Sequence, residues 1–323
     1  MMQMNQHAAR VQMVCRVEFQ NFSLRTKNHC VVRREAVCNR LNDKEMKSMR
    51  KENFEKIQEK VEVTTRKWWF LLLFILIGTV TPPIVTKGYD PSKTGEIISY
   101  ILRNSLIGFC SPLYPVFKIL PIILVFALIL FGNRVSRIFS LYGGITYLLF
   151  AFLQGIAVTD KYGFGIVTGN FILMLIVAFF WFWEVSENKN NFSPQKIQIT
   201  RYWVVPLAFL AFWYPINLES RRPDFNLTYL FTNPAGLAFC TMTPIYLGIL
   251  SLYYPKVNIV TLRTTSLLGL IIGLWNMVVN FILKPDILWW NGVLHLPLVF
   301  ISIYALILTF RKLQLVETTK GIK

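Results

Sequence analysis

About eight stretches of this chain stay apolar for the distance needed to cross a hydrocarbon layer. They fall at roughly 68–85, 113–131, 137–158, 163–183, 202–216, 233–253, 262–283 and 289–310. A helix rises 1.5 Å per residue, so a layer roughly 30 Å thick takes about 20 residues. Backbone in hydrocarbon must satisfy its own hydrogen bonds, which a helix does within one segment. The expected fold is therefore all-α, a polytopic transmembrane helix bundle of about 8 spans. The fifth run is short, and Pro206 and Pro215 interrupt it, so it is expected to be tilted or broken. Residues 95–110 are moderately apolar and fit an interfacial helix or an extension of the second span.

Composition agrees. The chain is 54% hydrophobic and only 16% charged, against about 25% charged in a typical soluble domain. The net charge of +17 would suit a nucleic-acid binder if it were clustered on a polar domain. It lies instead in the tail before Trp68 and in short connections between apolar runs, so nucleic acid is not an expected partner. A basic tail beside a first span fits the anionic headgroups of membrane lipid.

The chain divides accordingly. Residues 1–41 read as a basic, disordered cytoplasmic tail. Residues 42–66 read as a juxtamembrane amphipathic helix, capped by Asn42 or Asp43. Lys51–Glu55 and Glu52–Lys56 are opposite charges four residues apart, hence on one face. Met46 and Met49 in this better-patterned segment are alternatives to Met1 as the start. Two four-helix units follow, 67–200 and 201–311, and then a cytoplasmic tail, 312–323. Arg134, Arg137, Lys189, Lys196, Arg201, Lys256 and Arg263 gather in one set of connections. The other set holds Lys161 and Lys284 in short turns and Lys87, Lys93, Arg103, Arg221 and Arg222 in longer loops, and Lys118 counts against the trend; Arg311, Lys312, Lys320 and Lys323 and the basic N-terminal tail tip the balance. The bias predicts both termini in the cytoplasm and a multi-pass protein of the cell membrane. Trp68, Trp69, Trp181, Trp183, Trp289 and Trp290 are expected at the interfaces.

Cys15, Cys30, Cys38, Cys110 and Cys240 form no CxxC pair. With His7 and His29 they match no zinc spacing, so no metal and no cofactor is expected.

The third and seventh spans open alike. Arg137-Ile138-Phe139-Ser140-Leu141-Tyr142-Gly143 and Arg263-Thr264-Thr265-Ser266-Leu267-Leu268-Gly269 both read RxxSLxG. That register pairs Gln154 with Asn280 and Asp160 with Asp286. It points to a 4+4 parallel internal repeat, with any substrate site between the halves.

Polar groups inside a membrane are interhelical ties or a site. Gly269, Gly273, Asn276 and Asn280 form one stripe on the seventh span. With Gln154, Asn170 and His295 they are the candidate substrate-binding residues. Asp160, Asp286, Arg221 and Arg222, with Lys161 and Lys284 nearby, are the candidate outer vestibule. Ties between helices and solvated turns are the plainer readings of the same residues. No Asp or Glu lies mid-span, and Glu184 comes closest. HExxH, GxSxG, P-loop and GxGxxG signatures are absent, so no catalytic residue is assigned. Three functions stay open. The first is a small-molecule permease, or the membrane subunit of a transporter, for a small neutral or organic substrate. The second is a non-catalytic scaffold, sensor or assembly factor. The third is a membrane-embedded enzyme acting on a lipid or isoprenoid through His295.

Overall fold

The computed structural model describes residues 52–53 and 56–320, the last ten of these by their backbone alone. The expected tail 1–41, Cys15, Cys30, Cys38 and the Lys51–Glu55 pair lie outside the described residues. In the expected juxtamembrane helix, α1 (Lys56–Arg66) is helical. Lys56 Nζ meets Glu52 Oε1 at 2.7 Å, as their spacing predicts.

The remaining elements run α2 (Trp68–Val80), β1 (Ile84–Val85), α3 (Thr94–Arg103), α4 (Tyr114–Phe131), α5 (Ser136–Leu149), β2 (Ile156–Thr159), β3 (Gly163–Ile166), α6 (Thr168–Glu187), α7 (Val204–Trp213), α8 (Tyr229–Thr232), α9 (Phe239–Tyr253), α10 (Ile259–Met277) and α11 (Pro285–Lys320). Among the described residues four helical runs are long and apolar enough to cross a membrane, or six if each of two bent pairs is taken as one span. The helices expose large apolar side chains on their outer faces, among them Leu72, Leu76, Ile123, Phe126, Leu130, Phe209, Phe300 and Ile307. The interior is apolar and aromatic too, but it carries hydroxyls among these side chains: Thr146, Thr243, Thr264, Thr265, Ser266 and Ser302 are all buried. A polar-seamed interior under an apolar exterior is the polarity a lipid solvent demands, and the reverse of a water-soluble bundle.

Helix ends follow local chemistry. Pro82 and Pro83 stop α2, since proline supplies no amide for the ladder. Asn258 Oδ1 caps α10, accepting from the Val260 amide at 3.0 Å. The run from Leu106 to Gln154 carries helical turns throughout its 49 residues, which would make a rod of roughly 70 Å if straight. It is not straight. Ser105 and Ala157, which flank it, pair as an antiparallel bridge, so the chain goes out and returns. The reversal is at Gly132, whose φ of 55° suits glycine.

An all-α bundle is too simple. β1, β3 and β2 form a small antiparallel sheet, with Ile156 opposite Ile166 and Thr159 opposite Gly163. Residues expected as the end of the third span and the start of the fourth are its strands. Apolar β-branched runs of this length fit strand and helix alike. α3 lies on the sheet through Ile97 and Ile101, which pack with Ala157, Tyr162 and Val167. Residues 95–110 are thus an amphipathic helix followed by a 3-10 segment, Leu106–Leu113. Near the C-terminus, α11 continues to Lys320 where a tail was expected from residue 312.

The connections sort into two layers. One contains the sheet, the loop 214–238 and Lys284. The other contains residues 132–135, 188–203 and 254–258, tied together by Asn191 N to Lys256 O at 2.8 Å and Ser136 Oγ to Asn190 O at 2.7 Å.

Candidate functional site

The polar candidates are best followed from the end of α7. A helix terminus leaves its last carbonyls without amide partners. α7 ends at Tyr214, in the left-handed conformation. Side chains from elsewhere supply the missing donors. Asn233 Nδ2 donates to the carbonyls of Trp213 at 2.9 Å and Tyr214 at 3.2 Å. The Lys118 ammonium, fully buried in the second turn of α4, donates to the Phe212 carbonyl. It also stands 4.2 Å from the centre of the Phe212 ring.

From Tyr214 a chain of hydrogen bonds runs into the bundle. Its hydroxyl donates to Asn291 Oδ1 at 2.5 Å, and Asn291 Nδ2 donates to Asn280 Oδ1 at 2.9 Å. Asn280 Nδ2 donates to the Asn276 carbonyl at 2.7 Å, and Asn276 Nδ2 to the Ile272 carbonyl at 2.9 Å. Asn280 lies in a π-helical segment, Val278–Leu283, that continues α10. Such widened turns disturb the usual ladder, and the carboxamides give nearby carbonyls a donor. His295 Nδ1 lies 2.7 Å from the Asn291 carbonyl, and its ring meets the Tyr214 ring edge to face. A carbonyl can only accept, so Nδ1 carries the proton and Nε2 of the neutral ring is an acceptor.

Asn276, Asn280 and His295 are therefore brought together. Gly269 and Gly273 of the same stripe are where α11 comes close. A Cβ on Gly269 would stand 2.3 Å from Ser302 Oγ, and one on Gly273 2.9 Å from a Val299 methyl. Gln154 does a different job, accepting from the Phe239 amide at 3.0 Å to cap α9. Asn170 sits in the first turn of α6, and no hydrogen bond among the described residues joins it to this group.

The residues expected at the outer vestibule are placed as follows. Lys161 pairs with Glu96 of α3 at 2.8 Å. Lys161 is held above, and Glu96 below, the usual ranges of their types by that bond. Asp160 is in the β2–β3 turn, Asp286 in the first turn of α11, and Arg221 and Arg222 in the loop after α7. No ion pair links them among the described residues. Trp181 is another correction. Expected at an interface, it is buried in the core, its Nε1 donating to Thr265 Oγ1 at 3.1 Å.

Tyr214 and Asn233 carry no signal in the sequence that marks them as site residues. Lys118 does, because an ionisable group inside a membrane span is a functional candidate on that ground alone. Among the described residues no group of three His, Cys, Asp or Glu is placed to hold a metal ion.

At the other layer, Glu184 is buried in an amide cage. Its Oε1 accepts from the Asn190 amide and its Oε2 from Asn258 Nδ2, both at 2.6 Å. Asn190 in turn bonds Ser140 Oγ and the Asn258 amide. The cage joins α5, α6 and the start of α10.

Comparison of the chain with family models, with curated proteins and with solved structures returns no match.

Proposed function

We propose that this is a multi-pass permease for a small organic molecule, or the membrane subunit of one, with its ligand site at the end of the bundle that carries the sheet. The single observation behind this reading is the chain Tyr214–Asn291–Asn280–Asn276 with His295. Asn280 and His295 are buried and Tyr214, Asn291 and Asn276 half-buried, beside α7 and α9, and broken helices are where membrane carriers expose backbone to substrate. α9 meets the preceding Tyr229–Leu237 segment at 92°.

The finer topology belongs to the same proposal. The two layers of connections support eight passes: α2, α4, α5 with its π-helical end, α6, α7, α9, α10 and the first part of α11. The Lys and Arg of the two tails support both termini in the cytoplasm of a cell-membrane protein and the sheet outside. The 4+4 repeat gains support from the π-helical segments Phe150–Gln154 and Val278–Leu283. They overlap in the register that pairs Arg137 with Arg263, and such segments are rare. The two halves part company afterwards, because a hairpin follows the first segment and α11 follows the second directly.

The test is uptake. Proteoliposomes containing the protein should take up at least one member of a panel of small organic solutes. Asn280→Ala and Asn276→Ala should reduce that uptake at equal protein incorporation. Uptake equal to that of protein-free vesicles across the panel would overturn the reading. A second reading has its own support. The Asn280, Asn291 and Tyr214 groups satisfy one another, which suits a scaffold whose polar groups fix helix packing. That reading expects lower thermal stability in the same variants and no solute response.

A further inference from the structure

Lys118 is a buried basic group that the proposed carrier does not yet use. It is 0% exposed, on the second turn of α4. An ammonium has three donors and no acceptor. The Phe212 carbonyl takes one of them, and the Phe212 ring lies over the charge. No carboxylate stands within ion-pairing distance of it among the described residues. A lysine in that state is costly for a membrane protein to keep, and a neutral side chain with one donor would tie α4 to α7 at lower cost.

Its surroundings give the level at which it sits. Trp213, Phe225, Trp289 and Trp290 pack as a run of ring contacts just beyond Phe212. Amphipathic rings of this kind settle where hydrocarbon meets headgroups. Over Lys118 lies the turn Pro234–Leu237. A Cβ on Gly236 would stand 2.4 Å from the Phe117 carbonyl oxygen and 3.0 Å from the Lys118 amide.

We propose that Lys118 is an anion-binding residue: it takes the carboxylate or phosphate group of a ligand entering at the headgroup level, between α4 and the end of α7. The ligand reaches it when the Tyr229–Leu237 segment shifts off α4. This makes the substrate an anion, where the absence of mid-span carboxylates alone suggested a neutral one. It rests on the reading of a ligand site at this end of the bundle. Its test measures binding without transport, so a failed uptake assay and a failed anion response are separate results.

The test uses the full chain in a neutral detergent, read by thermal unfolding. The probes are phosphatidylglycerol, inorganic phosphate and hexanoate, with phosphatidylcholine as control. At least one anionic probe should raise the Tm saturably, by roughly 5 °C, and phosphatidylcholine should not. A response to phosphatidylglycerol alone assigns a lipid headgroup, whereas a response to phosphate or hexanoate assigns a free anion. Lys118→Met should abolish the rise. Lys118→Gln guards against a folding failure, since its carboxamide still donates to the Phe212 carbonyl but carries no charge. It should fold and lose the rise, and Lys118→Arg should keep part of it. The proposal is overturned if no anionic probe exceeds phosphatidylcholine, or if Lys118→Gln responds like the parent.

Discussion

Asn291 and Asn280 face each other across the α10–α11 seam, with Nδ2 of the first donating to Oδ1 of the second at 2.9 Å. Gly292, next to Asn291, leaves room for this approach, since a Cβ there would stand 3.0 Å from Asn280 Cβ. A double-mutant cycle on Asn280→Ala and Asn291→Ala should give a coupling of about 0.6 kcal/mol, the average for hydrogen bonds within membranes. Additive losses would mean that the pair contributes nothing as a pair.

Gly236 is the tighter constraint. Its would-be Cβ meets the Phe117 carbonyl carbon and oxygen, backbone atoms that cannot rotate away. Gly236→Ala should therefore destabilise by about 1–3 kcal/mol, as overpacking does. A Tm equal to that of the parent would show that this turn does not rest on α4.

Glu184 accepts from two N–H groups at 2.6 Å. Replacing it by Gln turns one acceptor into a donor that faces another donor. Glu184→Gln should cost about 1–3 kcal/mol, the penalty for a buried polar group left unpaired. Denaturation in nanodiscs measures it, and Glu184→Ala should cost at least as much.

The Lys161–Glu96 tie joins the β2–β3 turn to α3. The Lys161 bond holds the Glu96 carboxyl below its ordinary value of 4.5. A lowered pKa contributes stability above the unfolded value and loses it as pH falls through the folded one. Both side chains are about half exposed, so the effect should be small and screened by salt. Glu96→Gln should lower the Tm slightly at pH 7 and low salt. The difference should vanish in 1 M salt or well below pH 4.5. A difference that persists in both conditions would rule out the ionic tie.

Topology is tested by labelling. Cysteine placed at Asp160, in the hairpin turn, should react with a membrane-impermeant maleimide added to intact cells. Cysteine at Lys189, in the other layer, should react only after permeabilisation. Equal reactivity of the two from outside would reject the proposed arrangement of passes.

The sequence alone determined that this chain is built from apolar helices, because runs of span length with few charges have no other way to satisfy their backbone in lipid. It also determined which helix carries polarity. The spacing of Gly269, Gly273, Asn276 and Asn280 puts them on one face whatever that face meets. What each face meets was decided only by tertiary structure. Lys118 and Phe212 are 94 residues apart, and nothing in either segment announces the other. Trp181 reads as interfacial beside Trp183, yet the fold buries it against Thr265. Residues 156–166 read as the ends of two spans, since apolar β-branched residues serve helix and strand equally until a partner strand supplies hydrogen bonds. Lys161 reads only as a charge near the expected vestibule. The fold gives it a partner, Glu96 of α3, 65 residues away in sequence.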